Sequence, residues 1–164
     1  MAKASFKLIR AIRKSAETIK NGTEYQWGHM GSCNCGHLAQ ELTTFSKREI
    51  HEYAMRKSGD WTDQVQAYCS SSEMPMDLII SSMMEAGLER KDMVELERLK
   101  NKEVRRFMGL KGQNLSHNKK EDVVSYMLAW ADLLENELIE RVTLPKHLLK
   151  PDKSTSTHQA HVFL

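Results

Sequence analysis

The sequence predicts an all-α domain, a compact orthogonal bundle of about six to eight helices, on three observations. Apolar residues recur at three- and four-residue spacing almost from end to end. Helix starts and stops can be named between these stretches. No run alternates polar and apolar residues between hairpin turns, so no sheet is expected. The chain holds only 3 Pro and 8 Gly and is rich in Glu, Lys, Leu and Met, which favour helix.

Taken in order, Phe6, Ile9, Ile12, Ala16 and Ile19 form the first apolar stripe, stopped by Asn21-Gly22. Thr23 to Cys35 lacks periodicity, carries Trp27, Gly28 and Gly31, and reads as a loop. A second helix is expected from near Gly36, with His37, Leu38 and Glu41 on it. Ser46-Lys47-Arg48-Glu49 fits a capping box, opening a helix to about Lys57. Asp60 caps the next one, expected to run through Tyr68 and Cys69 to the serines Ser70-Ser71-Ser72. Pro75 suits a first helical position, with Gly87 as the terminator of Met76 to Ala86.

Two shorter helices follow, Lys91 to Leu99 and Lys102 to Met108, with Asn101 as the cap between them. Gly109 to His117 reads as a polar loop. Asn118 with Glu121 resembles a further capping pair. It opens the longest helix, where Val123, Met127, Trp130, Leu134, Leu138 and Val142 line one face. The organisation is one helical domain over residues 1–145 and a polar C-terminal tail over 146–164.

With 164 residues the chain can bury a core without disulfides or metals as staples. Its 24 Lys and Arg nearly balance 22 Asp and Glu, which argues against a dedicated nucleic-acid binder. No apolar run approaches the length of a membrane span. Lys3, Lys7, Arg10, Arg13, Lys14 and Lys20 break up any leader-like block, so a cytoplasmic setting with reduced thiols is expected. Three cysteines, an odd count, fit poorly with a disulfide framework.

The densest chemistry lies in His29-Met30-Gly31-Ser32-Cys33-Asn34-Cys35-Gly36-His37, within a loop from Trp27 to His37. Thiolate and imidazole bind borderline metals and also serve as nucleophile and base. The leading expectation is a metal site drawn from His29, Cys33, Cys35, His37 and Cys69. Zinc is the default ion because it accepts mixed sulfur and nitrogen ligands; iron or an iron–sulfur cluster comes second. The Cys-x-Cys spacing is not the usual zinc-knuckle spacing.

The alternative is a thiol-dependent enzyme. A helix starting at Gly36 would put Cys35 at its N-terminus, where free amides favour a thiolate, with His37 or His29 as base. Cys33 is the other candidate nucleophile. A third reading makes the cysteines buried packing residues in a helical interaction module whose exposed helix faces recognise a partner.

Other features are weaker. His37, Glu41 and His51 lack the paired Glu-x-x-His pattern of di-iron bundles. Met74, Met76, Met83, Met84, Met93 and Met108 read as core filler. The basic, amphipathic first helix resembles membrane-surface helices, although Glu17 interrupts it and core packing is the commoner use. His158 and His161 in the tail are further possible ligands. Substrate, partner and oligomeric state are left open by the sequence.

Overall fold

Eight α-helices and one short 3-10 turn, with no strand, make up the described residues of this computed structural model, which are residues 1–22 and 24–142. The all-α expectation is met at its upper helix count. The expected boundary at residue 145, the polar tail and its two histidines lie outside the described residues.

Most starts follow from local capping. Helix α1 (Phe6–Lys20) begins where the Ser5 hydroxyl accepts from Leu8 N at 3.2 Å. Helix α3 (Lys47–Ala54) carries the expected Ser46/Glu49 box. Helix α4 (Trp61–Gln66) has a second box, Asp60 with Asp63. Helix α5 (Pro75–Glu85) has Pro75 at its start, where no N–H is missed. Helix α6 (Arg90–Arg98) and α7 (Lys102–Phe107) flank Asn101, whose Oδ1 accepts from Glu103 N and Val104 N at 3.0 Å each. A 3-10 turn, Gly109–Gly112, opens the polar loop before α8 (Lys120–Arg141).

Several boundaries differ from expectation, each for a visible reason. Helix α2 (Asn34–Leu42) starts two residues before Gly36, because Cys33 acts as its N-cap. Helix α4 ends at Gln66 rather than reaching Cys69; Tyr68 N turns inward to Val65 O, a tighter three-residue bond. Helix α3 likewise closes at Ala54 through Lys57 N to Ala54 O. Helix α8 is entered from Lys119 without a side-chain cap, and Asp122, not Glu121, reaches back to Ser116 N at 2.9 Å.

Packing follows the apolar stripes. α1 lies chiefly along α8 and then α2; α4 lies on α6, and α3 touches α2 and α5. Leu8, Ile12, Ala16 and Ile19 of α1 meet Val123, Met127, Ala131 and Leu134 of α8 in one continuous core. Met76, Met83 and Met93 are fully buried as core filler, whereas Met74 reaches the surface. Two members of the predicted stripes turn outward: Val142 lies just past the end of α8, and Phe6, at the first position of α1, is 74% exposed.

The end of α6 governs the site. Leu99 sits in the left-handed region (φ 54°) as a non-glycine cap. Lys100 N bonds to Glu95 O and Leu99 N to Leu96 O, the paired closure usual for glycine. Leu99 is 1% exposed, so burial of its side chain holds a backbone that costs about 1–2 kcal/mol.

Candidate functional site: the Trp27–His37 loop

The loop holds itself in shape by a string of turns. His29 N bonds to Gln26 O, and Ser32 N and Cys33 N both bond to His29 O. Two of its glycines serve close approach. A Cβ at Gly31 would run into the carbonyl of Lys47 at the start of α3. A Cβ at Gly36 would meet the backbone of Met30 and Gly31 as the loop folds over α2.

From this scaffold three side chains reach α6. Trp27 Nε1 donates to Glu97 O at 3.2 Å, Asn34 Nδ2 to Leu96 O at 2.7 Å, and Cys35 Sγ to Met93 O at 3.5 Å. Leu96 and Glu97 carbonyls belong to the last turn of α6, where intrahelical partners run out. The loop therefore caps that helix from a distance. In return, Trp61 Nε1 donates to Met30 O at 2.9 Å and pins the loop to α4.

Cys33 is occupied in the same way. Its Sγ accepts from Gly36 N at 3.3 Å and lies 3.6 Å from Met30 O, so the thiol fills the N-cap role usually taken by a hydroxyl. Burial pushes the Cys33 thiol up to about 12, although the Gly36 amide pulls the other way. Cys35 is pushed well above the ordinary thiol range by burial, then by Cys33 and Glu97. Cys35 sits at the second position of α2, and there burial opposes the thiolate that free amides at a helix start would favour.

The histidines separate. His29 stacks on His51 of α3, ring centroids 3.7 Å apart and 14° from parallel. Its Nδ1 accepts from Gly31 N at 3.2 Å. His37 is buried on α2, and its Nε2 has no hydrogen-bond partner among the described residues. Burial holds both His29 and His37 below the usual imidazole range, with the cation of Lys47 adding to the effect. Neither imidazole hydrogen-bonds to a loop cysteine; the Cys33 and Cys35 sulfur bonds go to Met30, Gly36 and Met93.

Cys69 lies exposed in the α4–α5 connection, its Sγ 3.3 Å from Ser71 Oγ, a bond that lowers its pKa. Among the described residues no group of three or more His, Cys, Asp or Glu side chains is placed to hold a metal ion. The five-residue ligand set is thus divided between two core thiols, a stacked imidazole, a lone buried imidazole and a surface thiol.

One group that organises the site carried no signal in the sequence. Glu97 belongs to no motif, yet it is 2% exposed. Its carboxylate accepts from Trp61 N at 3.1 Å, Thr62 N at 3.0 Å and the Thr62 hydroxyl, and so caps α4 from α6. Burial raises its pKa, and the Thr62 donors oppose the rise. Arg98 lies 5.0 Å over the Trp27 ring and bonds to Asp60 at 2.6 Å, closing the outer edge of the cluster.

The chain matches no protein-family profile, no curated protein and no solved structure. No helix among the described residues is long and apolar enough to cross a membrane.

Proposed function

We propose that this chain is a helical interaction module in which the Trp27–His37 loop is a brace and recognition falls to exposed helix faces. The observation that carries this reading is the use of both loop thiols inside the fold. Cys33 and Cys35 are buried, held in the neutral form by burial, and bonded to backbone groups of α2, the loop and α6. A nucleophile needs thiolate and access, and both are withheld. A metal site needs ligands that converge, whereas His29, Cys33, Cys35 and Cys69 each bond to a different partner and the buried Nε2 of His37 bonds to none among the described residues.

The reading is tested by counting thiols and metal together on protein purified without oxygen. The expected result is one iodoacetamide-reactive thiol per native chain, Cys69, with the other two reacting only after denaturation, and no stoichiometric zinc or iron. One bound zinc or iron per chain, lost with a fall in Tm in Cys33→Ser or Cys35→Ser, would overturn it in favour of a metal centre. A Cys35 that alkylates faster than Cys69 would overturn it in favour of thiol chemistry.

A further inference from the structure

We propose that the groove along α1 binds an acidic protein segment that carries an apolar side chain beside its carboxylates. The proposal rests on the reading of the chain as an interaction module and gives that module its surface and its class of partner.

The groove, about 590 Å³, runs along the outer side of α1 to Glu41 at the end of α2. Phe6, Arg10 and Lys14 succeed one another at four-residue spacing, and Lys7 lies three before Arg10, so all four side chains share one face. Phe6 leaves the apolar stripe that the rest of α1 buries and stands 74% exposed among cations. Aromatic side chains, Phe among them, are enriched where proteins meet partners.

Charge gives the partner its sign. Arg13 is taken by Asp132 and Glu135 at 2.7 Å each, and Lys14 by Glu41 at 2.8 Å. Among the described residues Lys7 and Arg10 enter no ion pair, and exposed Lys3 adds a third cation upstream. Glu17 opposes them only at the far end of the groove. The uncompensated positive end therefore surrounds Phe6, which favours carboxylates on either side of an apolar residue.

A membrane surface fits less well. An interfacial helix buries a whole apolar face in lipid, whereas Leu8, Ile9, Ile12, Ala16 and Ile19 are already buried in the core. Phe6 alone remains to insert.

The test selects random peptides displayed on phage against the immobilised full chain, then measures the enriched peptides by fluorescence anisotropy. Acidic sequences with an embedded apolar residue are expected. Their binding should weaken about tenfold or more in Arg10→Glu and in Phe6→Ser, and fall as salt rises. Both side chains are exposed, and circular dichroism verifies that each variant is folded. Three results would overturn the proposal: no acidic enrichment, binding indifferent to both substitutions, or binding to phosphatidylserine vesicles in place of peptide. A groove that binds acidic peptides in a chain that also holds zinc would leave this site standing and remove the module reading. An empty groove in a metal-free chain with inert thiols would remove this site alone.

Discussion

Cys33 and Cys35 are 1% and 0% exposed, whereas Phe6 is 74% exposed. The loop concentrates the residue types associated with chemistry, yet Trp27, Asn34 and Cys35 all turn inward to the carbonyls of α6. The outer face of α1 is made of common residues, and there the lysines, arginine and phenylalanine face solvent. Residue type marks where unusual packing is needed, while exposure and unanswered charge mark where something else can bind. The difference has a physical cause. A buried loop must satisfy its own polar groups and those of the helices it covers, which selects Asn, Trp, Cys and Gly regardless of catalysis.

This contrast can be broken most forcefully at Trp61. Trp61→Ala empties a fully buried site and frees Met30 O, and is expected to cost about 3–5 kcal/mol in urea unfolding. A near-neutral result would mean that the loop is not braced by α4. Gly36→Ala comes next, at about 1–3 kcal/mol, because the new methyl has only rigid backbone to push against.

At Cys33 the capping role makes a finer distinction. Cys33→Ala should cost about 1 kcal/mol, and Cys33→Ser should cost less because its hydroxyl can still accept from Gly36 N. Equal losses would show that sulfur packing, not capping, sets the effect.

Proton uptake sharpens the same picture. His29 and His37 are held below the usual imidazole value of about 6.5. As pH falls through about 6.5, the unfolded chain takes up protons that the folded imidazoles resist. Stability is therefore full above that range and declines below it. The Tm should drop on moving from about pH 8 to about pH 5.5, and His37→Leu should flatten the drop. Glu97, raised by burial, acts with the opposite sign, because as pH falls toward the carboxylate range the folded chain takes up its proton before the unfolded chain does. A Tm independent of pH would show that the imidazoles are freely hydrated. The smallest stability effect belongs to α1: Lys7→Glu and Arg10→Glu should stay within about 0.5 kcal/mol of wild type, measured by the same unfolding, whatever they do to binding.

Helix starts were legible where the cap is local. Ser46 with Glu49, Asp60, Pro75 and Asn101 each announce a helix through residues within three positions. The start of α2 lies two residues before the one that the sequence predicts, because thiols seldom cap and Cys33 reads as chemistry. The site's contacts were beyond the sequence for a different reason. The partners of Cys35, Asn34 and Trp27 lie 58, 62 and 70 residues away, and backbone carbonyls leave no mark in side-chain identity. Glu97 was hidden twice, as an ordinary helix glutamate and as a cap for another helix.

The thiol at the start of α2 also makes folding a one-way door in the presence of oxidants. While folded, the protein keeps that sulfur neutral and out of reach. An unfolding event returns it to the reactivity of a free cysteine, open to sulfenic acid or a mixed disulfide. A sulfur bearing an adduct is larger and no longer matches the buried N-cap position it holds against Gly36 N, so refolding is opposed. The lifetime of the native protein in an oxidising medium is then set by how often it opens, not by how stable it is once closed.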